Sequence, residues 1–204
     1  MKLSILIATI TERVYTHLPN LIRRMRMQIG DRQDIEIVGF LDNRMRTVGE
    51  KRQDLLNLSR GEYIVFFDDD DDLADDYISS IMGALEDNPG VDSVSFAVLY
   101  TNAKTGKDMI CIYDKDFEGR KVGADGIWRG PPAHIHVSRA EIAKSVPWLE
   151  RPPAGGAWSL DAIWADAVAA KIKTQVIINH VLYYYNFDPN VSETLKRNRK
   201  IQGR

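Results

Sequence analysis

Along roughly the first 100 residues, short apolar runs alternate with segments whose apolar residues recur every three or four positions. Runs rich in β-branched residues predict buried strands, and the three-to-four spacing predicts amphipathic helices. The predicted strands cover 2–8, 35–41, 63–67 and 91–99, and the predicted helices begin near Val14, at Gly49 and at Tyr77. Strands that alternate with helices in this order are typical of βαβ units in a mostly parallel sheet.

The second half of the chain is less regular. The turn "TNAKTGKD" lies between two apolar runs and predicts a β-hairpin that pairs 98–100 with 109–113. Beyond it, the pattern predicts a short helix from Arg139, a helix over 160–171, and final strands over 174–178 and 181–185. His134 and His136 alternate after "GPP" in a stretch that we interpret as a strand with both rings on one face.

Composition narrows the class of protein. The chain has 204 residues, of which 44% are hydrophobic and 27% charged, as expected for a globular domain with a sizeable core. The net charge of −2 argues against a protein that is basic all over. The single cysteine, Cys111, excludes an intramolecular disulfide and favours a cytoplasmic location. No segment approaches the ~18 apolar residues of a membrane helix, so we expect no membrane span.

A run of aspartates, Asp68 to Asp72, directly follows the apolar stretch "YIVFF". Neighbouring carboxylates repel one another, so a positive group is expected among them. Two carboxylates separated by one residue suit Mg²⁺ or Mn²⁺, which bind hard oxygen ligands together with phosphate oxygens. The alternative is an N-cap and acidic first turn for the helix at Tyr77. That alternative accounts for Asp75 and Asp76 but not for the first aspartates of the run.

Polar clusters follow three of the predicted strands. In parallel sheets, ligands bind beyond the carboxyl ends of the strands. The three clusters should therefore meet at one edge, and they are Thr9 with Glu12 and Arg13, Asp42 with Asn43 and Arg44, and the aspartate run.

The motifs "SILIAT", "FLDN" and "GEKRQDLLNLSRGEYIVFFDDDDDLADDY" follow one another in an order that resembles the nucleotide-sugar-dependent glycosyltransferases of family 2. The resemblance implies the GT-A fold, an α/β fold with a mostly parallel central sheet flanked by helices and a smaller acceptor-side subregion. It also implies inverting transfer of a sugar from a nucleoside-diphosphate sugar, most commonly of UDP, to a hydroxyl acceptor, with Mn²⁺ or Mg²⁺ as cofactor. We therefore expect one domain over 1–194, with a nucleotide-sugar half (1–100) and an acceptor half (101–194).

The resemblance also implies roles for individual residues. Thr9 would line the base and ribose pocket, and Asp42 would contact the nucleobase. The residues expected to bind the donor are Thr9, Asp42, Lys51, Arg52, Asp68 and Asp69, and those expected to hold the metal are Asp68, Asp70 and His134. The alternative for Lys51 and Arg52 is a solvated helix face.

Inverting transfer needs a carboxylate that takes the proton of the acceptor hydroxyl. The family's base is an Asp in a Glu-Asp pair at a late helix start, and "WSLDAIWADA" matches it with Asp161, although Leu160 replaces the Glu. The alternative is an ordinary charge at a helix N-terminus. Weaker site candidates are Asp166, His136, Trp128, Trp158, Asp188 and Ser192, whereas His180 is expected in the core or at a sheet edge.

Two other functions stay open at this point. One is a nucleotidyltransferase on a similar sheet, although no Gly-rich triphosphate loop follows the first strand. The other is an inactive module that binds a nucleotide or a cation. The acceptor is open too: it is a saccharide, or a hydroxylated DNA base contacted by the basic tail over 195–204. A solvated tail without a partner is the alternative for that segment.

Overall fold

The computed structural model describes residues 1–151 and 159–188. The strands are β1 (Leu3–Ile10), β2 (Ile35–Asp42), β3 (Tyr63–Phe66), β4 (Asp72–Leu73), β5 (Ser93–Asn102), β6 (Lys107–Tyr113), β7 (Lys121–Val122), β8 (Trp128–Gly130), β9 (Val137–Arg139) and β10 (Gln175–Phe187). The helices are α1 (Leu18–Ile29), α2 (Val48–Leu58), α3 (Tyr77–Asp87), α4 (Ala140–Lys144) and α5 (Leu160–Ala169), and a 3₁₀ helix covers Thr11–Tyr15.

One mixed sheet organises the described residues. Strands β2, β1 and β3 lie side by side and parallel, and β9 pairs antiparallel with β3 and then with β5. Strand β10 runs parallel to β5 and also pairs with the two-residue strand β4. The connections from β1 to β2 and from β2 to β3 each contain a helix, which is what parallel neighbours require.

Apolar side chains cover both faces of this sheet. Along β1, Leu3, Ile5 and Ile7 belong to one buried cluster, which also receives α1 and α3. Leu6 points to the opposite cluster, which receives α2 and α5. This alternation is the period of two expected of a strand buried on both faces. The α/β fold class predicted from the sequence is confirmed.

The structure differs from the predicted elements in three places. The first helix begins at Leu18 after the 3₁₀ segment, with Pro19 in its first turn, where a missing N–H costs little. The two final strands are one strand, β10, whose pairing with β5 shifts register near Val181. His134 and His136 precede β9 instead of lying within it, because Pro131 and Pro132 have no N–H to offer a ladder.

Several predictions fall outside the described residues, namely those for Trp158, Ser192 and the tail over 195–204. The division into two halves stays a prediction. Within 1–151 and 159–188, none of the helices combines the length and the apolar character needed to cross a bilayer.

A capping box fixes the start of α2. The Thr47 side chain accepts a hydrogen bond from the Glu50 backbone N–H (3.2 Å), and the Glu50 carboxylate accepts one from the Thr47 N–H (2.6 Å). Such a box satisfies two N–H groups that a helix start otherwise leaves without partners. It sets the register of α2, so that Lys51 and Arg52 are both buried.

Gly61 approaches β1 too closely for any side chain. A Cβ at this position would lie 2.5 Å from the Tyr63 carbonyl oxygen and 2.6 Å from the Ser4 backbone nitrogen. Both are backbone atoms of paired strands and cannot move aside without distorting the sheet. Gly83, in α3, has no atom within 4 Å of its Cβ position.

We expect Gly61→Ala to lower the free energy of unfolding by about 1–3 kcal/mol, as overpacking does elsewhere. The matched change Gly83→Ala should raise it by about 0.5–1 kcal/mol, since Ala is the better helix former. Urea titration of both variants measures the difference. Equal stability of the Gly61→Ala variant and the unchanged protein would contradict the close approach.

Candidate active site

The carboxyl ends of β1, β2 and β3 bring the three polar clusters to one edge of the sheet, as predicted. Ile10 and Asp42 are register partners at the ends of β1 and β2, and Asp68 follows β3. Within this edge the carboxylates fall into separate groups, each held by its own basic side chain.

Asp42 is held by Lys51 from the first turn of α2. The Lys51 ammonium donates to Asp42 Oδ1 (2.9 Å) and to the Thr9 carbonyl oxygen (3.2 Å), and it is almost fully buried. The Arg46 backbone N–H donates to the other carboxylate oxygen (2.8 Å). These donors keep the pKa of Asp42 below its ordinary value against the opposing effect of burial. The solvated-face alternative for Lys51 is therefore wrong.

Asp69 and Asp70 share Arg13, which follows β1. Arg13 Nη1 donates to Asp69 Oδ1 (2.5 Å), and Nη2 lies 2.8 Å from Asp70 Oδ2. The Thr9 hydroxyl donates to Asp69 Oδ2 (2.5 Å). Only 3% of the Asp69 side chain is exposed, against 33% of the Asp70 side chain. Asp69 is thus buried and hydrogen-bonded within the protein, and Asp70 is the member of this pair that a ligand can reach.

Asp68 and Asp161 are joined by Arg52, although 93 positions separate the two carboxylates along the chain. Arg52 Nη2 donates to Asp68 Oδ1 (2.8 Å), and Nη1 forms an ion pair with Asp161 Oδ1. His134 Nε2 lies 3.2 Å from Asp68 Oδ2 and 3.3 Å from Arg52 Nη2. The candidate base and the first carboxylate of the aspartate run therefore meet at one guanidinium.

The Arg52 guanidinium is itself held by aromatic rings. Its central carbon lies 4.9 Å from the Trp148 ring centroid and 5.7 Å from that of Phe66. Only 6% of its side chain is exposed. A planar cation packed against aromatic rings, with two carboxylates as partners, has little freedom to turn. The solvated-face alternative is wrong for Arg52 as well.

Burial and crowding set the pKa of Asp70. Removal from water raises this pKa, Arg13 opposes the rise, and the neighbouring charges of Asp68 and Asp69 add to it, so that the pKa is about 6. The ionised form of Asp70 is therefore poorly compensated by the protein alone. A cation placed beside it would stabilise that form.

The pKa of Asp68 moves the other way. Burial alone would raise it, but hydrogen bonds and charge from His134 and Arg52 hold it well below the ordinary value. Burial and the nearby Arg52 lower the pKa of His134, and the Asp68 carboxylate opposes this shift. A neutral imidazole can donate from one nitrogen and accept, or bind a metal, at the other.

The last two aspartates of the run have structural partners. Asp71 accepts from the Tyr183 hydroxyl (2.7 Å) and from the Asn186 backbone N–H (2.9 Å), which ties the end of β10 to the aspartate loop. Asp72 is paired with Arg24 of α1. The sequence did not predict these two pairings or that of Arg13, because each partner lies far away along the chain.

A metal would need help from its ligand. Among the described residues, no group of three or more His, Cys, Asp or Glu side chains is arranged to hold an ion alone. Mg²⁺ commonly takes one or two carboxylates and completes its shell with phosphate oxygens and water. Asp70, exposed and incompletely compensated, with Asp68 close by, fits a cation that arrives together with a diphosphate.

A pocket of about 240 Å³ opens beside this cluster. Asp161 and His134 contribute to its lining, together with Trp128, Tyr113 and the first turns of α5. Leu160, which replaces the Glu expected from the resemblance, is buried in the second apolar cluster and serves in packing. The capping hydroxyl of Ser159 accepts from the Ala162 N–H (3.3 Å) and starts α5 directly before Asp161.

The weaker candidates lie at different places. His136 is buried between Phe96 and Tyr113, and burial lowers its pKa to about 3. His180 is half exposed and pairs with Asp76 (2.8 Å), so it does not lie in the core. Asp166 pairs with Arg120 at the pocket.

Comparison with known proteins rests on structure, since no family model and no curated protein matches the sequence. The structure of residues 1–349 of S. aureus TarS superposes with a TM-score of 0.67 at 12% identity, over 91% of this chain and 60% of that one. Its complex with UDP-GlcNAc gives a TM-score of 0.67 at 11% identity, over 96% and 61%. This chain has the GT-A fold.

A third GT-A structure extends the likeness beyond TarS. Glucosyl-3-phosphoglycerate synthase from Mycobacterium tuberculosis, solved with Mn²⁺, UDP and phosphoglyceric acid, gives a TM-score of 0.56 at 13% identity, over 96% of this chain and 75% of that one. The chain spans about 60% of the length of the TarS structures. The GT-A fold implied by the sequence motifs is confirmed.

Removing Arg52 should be costly, because it leaves Asp68 and Asp161 partly buried without their shared partner. We expect Arg52→Met to lower the free energy of unfolding by about 2–3 kcal/mol, somewhat less than for a fully buried pair. Arg60→Met is the matched control: this arginine is 73% exposed and pairs with Glu36, so the loss should stay within about 1 kcal/mol. Denaturant unfolding compares them, and equal losses would show that the Arg52 contacts count no more than a surface pair.

Proposed function

We propose that the protein is an inverting glycosyltransferase that moves a sugar from a nucleoside-diphosphate sugar, with UDP as the nucleotide, to a hydroxyl acceptor. The observation that carries the proposal is the junction at Arg52, where a carboxylate of the aspartate run and the candidate base Asp161 meet beside an open pocket. Support comes from the GT-A neighbours, whose structures were solved with UDP-GlcNAc and with UDP and Mn²⁺.

On the donor side, Asp42 is assigned to the nucleobase and Thr9 to the adjoining pocket wall. Lys51 holds the Asp42 carboxylate in place (2.9 Å), so it acts on the nucleotide through Asp42. Asp69 is assigned to the donor only indirectly, because Thr9 and Arg13 already occupy its oxygens. Asp70 and Asp68 are assigned to the cation, with His134 at its border.

Mn²⁺ or Mg²⁺, when bound, neutralises the charge that develops on the leaving nucleoside diphosphate. The chain's own contribution is to hold its carboxylates in fixed positions. Arg52 orients both Asp68 and Asp161, while Arg13 keeps Asp70 from turning away from the edge of the sheet. Preorganised charges of this kind cost no rearrangement during the reaction.

Asp161 is assigned as the base. It would accept the proton of the acceptor hydroxyl while that oxygen attacks the anomeric carbon, and the bond to the diphosphate oxygen breaks on the opposite side. About 30% of its side chain is exposed, so substrate can reach it.

We also propose a cytoplasmic location, on the basis of the cysteine content alone: Cys111 is a buried free thiol.

Asp70→Asn should abolish metal-dependent binding of UDP and turnover of UDP-sugars, because it removes the accessible cation ligand. The melting temperature should hold or rise, since one of three adjacent carboxylates becomes neutral. Calorimetry of UDP with Mn²⁺ measures binding. Asp75→Asn, the same change at a fully exposed position nearby, is the control and should bind UDP normally. Unchanged turnover in Asp70→Asn would refute the metal assignment.

Asp161→Asn should retain UDP and Mn²⁺ binding and lower turnover by roughly 10²–10⁴-fold, because the proton acceptor acts only in the transition state. Arg52 keeps Asp68 as a partner in this variant, so the donor side remains in place. Donor turnover over a panel of UDP-sugars, divided by the fraction of enzyme with donor bound, gives the comparison. A collapse of UDP affinity with normal turnover per bound donor would assign Asp161 another role.

A further inference from the structure

The pocket beside Asp161 carries information about the acceptor. We infer that it binds one uncharged sugar ring, whose hydroxyl is the nucleophile, and that it disfavours a phosphorylated or carboxylated acceptor. This rests on the proposed function and adds the substrate class. Four features of the pocket support it: an aromatic wall, a floor of small residues, an internally balanced charge, and a size suited to one ring.

The aromatic wall consists of Trp128 with Tyr113 behind it and Tyr185 nearby. The rings of Trp128 and Tyr113 have centroids 5.1 Å apart and planes tilted by 52°. A Cβ at Gly130 would lie 2.5 Å from Trp128 Cη2, so the absence of a side chain there gives the indole its place. An aromatic face of this kind can accept the C–H face of a pyranose ring.

The floor of the pocket is made of small side chains. Ala162 and Ala165 come from successive turns of the same face of α5, and Ala133 comes from the loop before His134. Small residues leave room for a ring to lie between the indole and the helix. The resulting volume of about 240 Å³ lies below the ~300–1,000 Å³ typical of sites for drug-sized ligands, and so suits a single ring.

The charge of the pocket is balanced within the protein. Arg120, which lies on the lining, is held by both oxygens of Asp166, one of them at 3.2 Å. Among the described lining residues, Arg120 is the one arginine or lysine. An anionic acceptor would have to draw Arg120 away from Asp166 and would also face the Asp161 carboxylate. A neutral polyol meets neither cost.

Polar groups lie where a sugar hydroxyl is needed. Asp161, His134 and Ser159 all contribute to the lining of the pocket. A ring stacked on Trp128 would share the pocket with Asp161, whose carboxylate takes the proton of a hydroxyl in the proposed reaction. The aromatic wall thus selects the ring, and Asp161 selects which of its hydroxyls reacts.

Saturation-transfer NMR on the whole chain, with Mg²⁺ and UDP present, tests the inference. The ligands are methyl glycosides of glucose, galactose, mannose and N-acetylglucosamine, with 3-phosphoglycerate and a 5-hydroxymethyl-pyrimidine nucleoside as competitors. We expect at least one glycoside to bind, with its affinity reduced about tenfold or more by Trp128→Ala and by the space-filling change Ala162→Leu. Trp128→Phe should retain most of the binding, and Met27→Ala, an exposed position on α1, should change nothing.

The charge argument has its own test. Asp166→Asn removes the ion pair between Asp166 and Arg120, and this variant should gain affinity for 3-phosphoglycerate while glycoside binding stays within about twofold. Binding of phosphoglycerate or the nucleoside by the unchanged protein, with no glycoside bound, would overturn the inference. So would glycoside binding that ignores both Trp128→Ala and Ala162→Leu.

Calorimetry of UDP with Mg²⁺ on the same samples tests the proposed glycosyltransferase function separately from the acceptor class. If UDP binds and no glycoside does, the acceptor class is wrong while the glycosyltransferase proposal stands. If UDP does not bind, the proposed function fails, and the acceptor assignment falls with it.

Discussion

The ion pairs of Arg52 are the constraint on which the site depends. Two carboxylates from opposite halves of the chain, Asp68 and Asp161, approach one another only because a buried guanidinium lies between them. The guanidinium packs against the Trp148 and Phe66 rings. The second apolar cluster, which contains both rings, therefore does more than stabilise the fold. It places a positive charge at the depth where the donor side and the acceptor side meet.

The other carboxylates at this edge of the sheet are also held by basic side chains that the fold places beside them. Lys51 holds Asp42, and Arg13 holds Asp69 and Asp70. The negative charge of Asp70 is the least completely compensated, as its raised pKa indicates. If basic side chains fully compensated these carboxylates, a divalent cation would gain little by binding here. If none of the carboxylates had a basic partner, their mutual repulsion would prevent this edge of the sheet from folding.

Much of this could be predicted from the sequence, and the exceptions have physical reasons. The strands of the first half were predictable because each is a short apolar run, and the helices between them because their spacing is regular. The position of the aspartate run followed from the topology, since parallel strands end at one edge. Arg13 and Tyr183 were missed as partners because a sequence shows no distance between residues so far apart. The turn at His134 was missed because two prolines outweighed the alternating pattern.

The five aspartates from Asp68 to Asp72 are identical in the sequence, yet each has different partners: Arg52 with His134, Thr9 with Arg13, Arg13 alone, Tyr183 with Asn186, and Arg24. Loss of one aspartate would leave the composition of the motif almost intact, but every later carboxylate would move along the chain by one position and face the wrong partner. The length of the run, rather than its acidity, is therefore the property that selection has to maintain.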